Sequence, residues 1–153
     1  MFSKRPSLRA LFCFLTLVLL PLAGTSPGRG AESGPNGVWL TEKGDARVQV
    51  SRCGAGLCGK VVWLREPIDH ATGKPAIDDQ NRNPELRNRP IIGLQLFIGM
   101  RPAGPGSWSG QIYNADDGQT YDSTVAQNDA DHLQVRGCVG PLCGSETWTR
   151  VSR

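Results

Sequence analysis

SWSGQIYNADDGQTYDSTVAQ, residues 107–127, is the stretch that decides how this chain folds. Two runs, Ser107 to Ala115 and Gln119 to Gln127, place apolar or aromatic residues between polar ones at the period of a strand with one buried face. Between them stands Asp117-Gly118, a pair suited to the tight turn of a β-hairpin. The same rhythm continues on both sides. Toward the C-terminus, Leu133 and Val135 alternate with Gln134 and Arg136, and Ser145 to Val151 forms a last run. Toward the N-terminus lie Val38 to Glu42, a run around Val48 and Val50, Lys60 to Leu64, and Ile91 to Met100, with a second turn at Lys43-Gly44-Asp45. The count reaches eight strands in sequential order without a convincing amphipathic helix, so the fold class is all-β. A sandwich or a closed barrel would hold such a meander. Closure removes the exposed edges that an open up-and-down sheet leaves at both ends. The expectation is a single antiparallel up-and-down β-barrel of about eight strands, occupying residues 37–153.

The N-terminal segment reads differently. Lys4, Arg5 and Arg9 precede an apolar run from Ala10 to Ala23 that is interrupted only by Thr16 and Pro21, and small residues come after it. This order marks a secretory signal over residues 1–25, with cleavage between 23 and 31. The run is shorter than the roughly 20 residues a transmembrane helix needs, so no stable membrane span is expected after processing. Cys13 lacks the flanks of a lipid-anchoring motif. Residues 26–36, rich in Gly, Pro and Ser, read as a flexible lead-in. The signal contains three basic residues and no acidic one, so 17 basic against 14 acidic residues become 14 against 14 once it is removed. A neutral mature domain gives no electrostatic case for nucleic acid as a partner. The expected location is outside the cytoplasm, periplasmic or secreted.

Four cysteines remain, as Cys53-x4-Cys58 and Cys138-x4-Cys143 in parallel contexts. An even count in an exported chain reads as two disulfides. Pairing Cys53 with Cys58 and Cys138 with Cys143 fits hairpin geometry; a long-range pairing and a four-thiolate zinc site would use the same residues. One segment breaks the strand rhythm. Residues 66–90 are mostly polar, with Pro67, Pro75, Pro84 and Pro90, and loops of that length in compact domains are usually functional or disordered. This one carries Asp78, Asp79, Asn83, Arg87 and Arg89, the residues that would meet a partner.

Gly37-x-Trp39, Leu57-Cys58-Gly59-Lys60-Val61, Asp79 with Asn83-Pro84, Arg89-Pro90-x-x-Gly93, Tyr113, Asp117-Gly118-x-x-Tyr121, Val135-x-Gly137-Cys138 and Trp148-x-Arg150 together resemble the DUF2147 family. The resemblance runs from about residue 37 to 151. It implies an exported bacterial protein built like the calycins, the lipocalin-like barrels. It also implies that Arg150 on the last strand lies over the Trp39 indole on the first and closes one end. A cation over an indole is worth about 0.5 to 2 kcal/mol, and this one would join the two strands that must meet.

Enzymatic signatures are sparse. His70 and His132 are the two histidines. Gly106-Ser107-Trp108-Ser109-Gly110 imitates a nucleophile elbow but has Trp108 where the nucleophile belongs. The pairs Asp78-Asp79 and Asp116-Asp117 are sequence neighbours that tend to point apart. Asp79-x-Asn81-x-Asn83 copies the start of a calcium loop, but Pro84 and Pro90 replace the required Gly and Glu. No catalytic residue, metal site or cofactor is assigned, and the expected reading is a protein that is not an enzyme.

The interior is the better place to look. Ile92, Leu94, Leu96 and Ile98 share one face of a strand, opposite Ile91 and Phe97. A consistent register places Val48, Val50, Val61, Trp63, Trp108, Ile112, Tyr121, Val125, Leu133 and Val135 inside. Eight-stranded barrels either fill with side chains or hold one small ligand. The first expectation is therefore an apolar or elongated small ligand, lined by Trp63, Leu94, Leu96, Trp108, Ile112 and Tyr121, in a cavity open at the end opposite Trp39 and Arg150, with the 66–90 segment as its lid. A second class is a cell-envelope interaction module in which that helix-free loop, tied to the barrel by Arg87 or Arg89 pairing with a carboxylate, contacts another protein. A third is a metal-dependent or carboxylate hydrolase, which would need carboxylates converging on a histidine.

Overall fold

The computed structural model describes residues 34–153; the signal at 1–25 and all but the last residues of the lead-in lie outside the described residues. Eight strands succeed one another: β1 Gly37–Leu40, β2 Ala46–Cys53, β3 Gly56–Leu64, β4 Phe97–Gly104, β5 Ser107–Asn114, β6 Gln119–Gln127, β7 His132–Val139 and β8 Leu142–Ser152. Each pairs antiparallel with the next, and β1 pairs with β8, giving a closed up-and-down barrel. Up-and-down order puts the β1–β2, β3–β4, β5–β6 and β7–β8 connections at one end. The other three connections and both ends of the described chain lie at the opposite end.

That opposite end is shut. Trp39 stands directly across from Arg150 in the β1–β8 register, and the guanidinium lies 4.1 Å from the indole centre. Arg150 also donates to the carbonyls of Asn36 at 2.6 Å and Gly34 at 3.0 Å, while Trp39 Nε1 donates to Pro35 O at 2.8 Å. Residues 34–36, expected to end a flexible lead-in, are instead strapped across the barrel base. Above them Val48, Val50, Leu57, Phe97, Trp108, Val125, Leu133 and Trp148 pack into one cluster, with Phe97 stacked on Trp148 at 5.8 Å. Burying a side chain of this size contributes about 1.5–3 kcal/mol, so the closed half carries most of the apolar stabilisation.

Two irregularities shift the expected inward set. Between Arg47 and Val48 the β3 partner jumps from Trp63 to Val61, leaving Val62 as an extra residue. Strand side chains alternate with period two, so one inserted residue sends its successors to the other face. Val61 is buried, whereas Trp63 turns outward and takes the Arg47 guanidinium 4.5 Å from its ring centre. The second irregularity concerns the strand expected from Ile91, which begins at Phe97. Its register shifts between Ile98 and Arg101, where Gly99 adopts φ 62°. Phe97 and Met100 consequently face the core, while Ile92 and Ile98 are exposed and Leu94 and Leu96 stay inside.

Both disulfides form within their hairpins, Cys53–Cys58 and Cys138–Cys143. The strand order puts them at opposite ends of the barrel. Among the described residues no helix is long and apolar enough to cross a membrane.

Candidate functional site

The half of the barrel away from Trp39 is hollow. A cavity of about 740 Å³ opens at the end formed by the β1–β2, β3–β4, β5–β6 and β7–β8 connections, a size within the usual range for small-molecule sites. Its floor is Trp148, the top of the packed cluster, and its wall is apolar, formed by Val61, Leu64, Leu96, Ile112 and Val135. Ile112 and Tyr121 face each other across β5 and β6 and both look inward. The rim is charged, with Lys43, Asp45, Arg65, Glu66 and Asp116 around the opening. Lys43 sits 3.8 Å from Asp116, and Arg65 donates to the Lys43 carbonyl at 2.6 Å. Tyr121 donates its hydroxyl to the Asp117 carboxylate, and that bond holds its pKa above the ordinary value.

The long connection does not cap this opening. Only its two ends, Arg65 and Glu66 on one side and Ile91 and Leu96 on the other, reach the cavity; its middle folds against the outside of β5. Ile68 bridges to Pro75 and Ile77 to Pro90, so the segment doubles back on itself. Its anchor is Asp78, which is fully buried. The carboxylate accepts from Tyr113 Oη at 2.6 Å, from Asn81 Nδ2 at 2.8 Å and from Arg89, whose Nη2 lies 2.7 Å away. Arg89 also covers the Tyr113 ring, 5.3 Å from its centre. Burial first, and the Asp78 hydrogen bond second, raise the Tyr113 pKa above 10.0. A buried charge persists when it is paired and fully hydrogen-bonded, and all three partners are in place here. Gly118 completes the seat: at φ 68° it belongs to the β5–β6 turn, and a Cβ there would strike the Gln80 carbonyl of the loop.

The expected site residues therefore divide. Leu96, Ile112 and Tyr121 line the cavity. Trp108 belongs to the packed half, Leu94 packs behind Val61 and Tyr113 and is not itself in the lining, and Trp63 lies on the outer surface because of the bulge at Val62. Of the loop residues, Asp78 is inaccessible to any partner and Arg89 is its counterion. Arg87 donates to the Asn81 carbonyl at 2.7 Å, and Asn83 caps a 3-10 turn at Pro84–Leu86, a turn the sequence did not announce. Asp79 remains exposed. The calcium-like triplet does not converge: the Asn81 amide donates into the Asp78–Tyr113 cluster and Asn83 faces its own backbone. His132 pairs with Asp129 at 2.8 Å, but at the closed end, and His70 lies on the exposed loop 3.9 Å from Glu66. Neither histidine faces the cavity. Sequence reasoning missed Glu146, an inward carboxylate on β8, and the Asn81–Tyr113 contact; strand alternation from Trp148 is the signal that would have found the first.

The family model described as "Uncharacterized protein conserved in bacteria (DUF2147)" matches residues 37–150, all of the barrel but the last two residues of β8. The chain is a DUF2147 protein. Its barrel is similar to a solved structure titled "Protein HP1028 from the human pathogen Helicobacter pylori belongs to the lipocalin family". The two share 26% identity and a TM-score of 0.63 over 76% of this chain and 82% of that one. Comparison with curated proteins gives no match. The DUF2147 chain thus has a lipocalin-like barrel, with a packed base and an open, hollow top.

Proposed function

We propose that this DUF2147 protein binds a small molecule with an apolar body in the hollow half of its barrel, without chemical conversion, and that it acts outside the cytoplasm. The observation that carries the reading is the coexistence of a packed base with an apolar-walled cavity of about 740 Å³ above Trp148. A barrel whose interior only stabilised the fold would be filled throughout, because protein cores pack densely and unfilled volume is costly. The likeness to a lipocalin-family barrel supports the same reading, as an analogy of fold. The two hairpin disulfides support export, since such bonds persist in oxidising compartments.

Fluorescence titration with the neutral probe N-phenyl-1-naphthylamine tests the binding reading. Saturable binding is expected, and Ile112→Trp, which fills the cavity from β5, should abolish it while the thermal melt stays cooperative. No saturable binding, or equal binding by the filled variant, would overturn the proposal.

A second reading has its own observation: the long loop is fixed to the barrel yet leaves Ile68, Ile77 and Leu86 exposed, so it presents an ordered apolar-and-polar surface to an envelope protein. Replacing all three with Ser should leave ligand binding intact and remove any partner recovered by cross-linking in the source cell. An unchanged cross-linking pattern would dismiss it.

A further inference from the structure

We infer that the cavity selects ligands bearing a cationic end, an ammonium group on an apolar body, and that Glu146 receives that group; this rests on the cavity being a ligand site. Strand register sets the position of Glu146. On β8, Trp148 is buried, while Ser145, Thr147 and Thr149 are exposed. Glu146 shares the inward face with Trp148 and lies directly across from Val135, another buried inward residue. Its carboxylate is therefore set into the apolar wall one inward position above the floor, not out on the rim.

The two carboxylate oxygens differ in their partners. Oε2 accepts from Trp148 Nε1 at 3.0 Å, which fixes the side chain toward the floor. Among the described residues no hydrogen bond or ion pair is made to Oε1. The two cations of the lining are otherwise engaged, Lys43 with Asp116 and Arg65 with the Lys43 carbonyl. Lining carboxylates number four, Asp45, Glu66, Asp116 and Glu146, against those two cations, so the potential inside favours positive charge. A carboxylate in an apolar wall without a cation is costly, and a ligand that supplies one recovers that cost on binding. Two aromatic side chains of the lining, Trp148 and Tyr121, suit a desolvated ammonium as well. The remainder of the wall, Val61, Leu64, Leu96 and Ile112, suits a hydrocarbon body. An anionic amphiphile of the same shape meets the opposite field and is rejected.

Calorimetric titration of the disulfide-intact protein with octylammonium, 1-octanol and octanoate tests the inference. These three probes share a body and differ in the charge of one end. Octylammonium is expected to bind about tenfold or more tightly than octanol, the scale of one charge-assisted hydrogen bond, and octanoate more weakly than either. The preference should shrink as salt rises. Glu146→Gln keeps an acceptor for the Trp148 indole; it should bring octylammonium to within about twofold of octanol and leave octanol unchanged. Equal binding of all three probes by the wild type, or a preference for octanoate, would overturn the inference while leaving the cavity a ligand site. An amine preference that survives Glu146→Gln would overturn the role of this residue. Failure of these probes and of the neutral fluorophore alike would remove the ligand site itself.

Discussion

Cys53-Gly-Ala-Gly-Leu-Cys58 and Cys138-Val-Gly-Pro-Leu-Cys143 are nearly the same segment used twice, and they stand at opposite poles of the barrel. Each closes a disulfide across a hairpin with a sequence separation of 5, and each has Leu immediately before its second cysteine. Their leucines meet different fates: Leu57 is 2% exposed and packs into the closed cluster, whereas Leu142 is 78% exposed beside Val139 at the open end. Local sequence is sufficient to make the turn and the staple. What the apolar residue does depends on whether the barrel behind it is solid or hollow.

The largest break in that symmetry is expected from truncating the leucines. Leu57→Ala should cost about 2–5 kcal/mol by leaving a hole in the packed half. Leu142→Ala should change stability by no more than about 0.5 kcal/mol. Denaturant unfolding of the two variants checks both, and similar losses would mean that the poles are not energetically distinct. Removing the staples tests the next level. Replacing either cysteine pair with serines should cost about 2 kcal/mol through the unfolded chain alone, because the rings are the same size. The closed-end variant should lose more, since loosening that hairpin also loosens Leu57. Equal losses would show that the staples act on the unfolded chain only.

A smaller effect separates the poles by pH. Tyr113 anchors the loop near the open end and has its pKa raised above 10.0, so the folded protein holds this proton more tightly than the unfolded chain does. The stability it contributes is present below about pH 10 and is lost as pH rises through the folded value. Tyr113→Phe should be less stable than wild type near neutrality and should lose less between about pH 9 and 12, read from melting temperatures. Absorbance of phenolate resolves the titration, because Tyr113 and Tyr121 are the two tyrosines. A variant with the same alkaline slope as wild type would move the sensitivity to another group.

Much of this architecture is legible from alternation alone. Period-two patterning through 107–127 and its neighbours gives the strand order, and closure comes from the need to remove edges. Trp39 and Arg150 are paired by the family resemblance and meet across β1 and β8 as expected. The residues that depart from expectation do so for local reasons. Trp63 and Ile98 lie beside Val62 and Gly99, where one added residue inverts the face of the strand beyond it, and composition carries no mark of a bulge at Val62. Half of the expected lining lies elsewhere: Trp63 is turned out by the bulge, Trp108 sits in the packed half and Leu94 packs against Val61 and Tyr113, while Leu96, Ile112 and Tyr121 are in the cavity. Asp78 reads as a contact for partners because it lies in a polar, proline-rich segment. Its burial depends on Tyr113, which comes 35 residues later in the chain, and such a long-range polar cluster leaves no periodic trace. Glu146 escapes a sequence reading because an acidic residue in a strand is ordinarily assigned to the wet face.

The pairing of β1 with β8 has a practical side. Val38 sits across from Ser152, so the start and finish of the barrel leave the molecule together, from the pole farthest from the opening. A tether, tag or fusion partner joined directly to either end of the barrel would point the hollow end outward, and the barrel could be fixed to a sensor surface with its access route free.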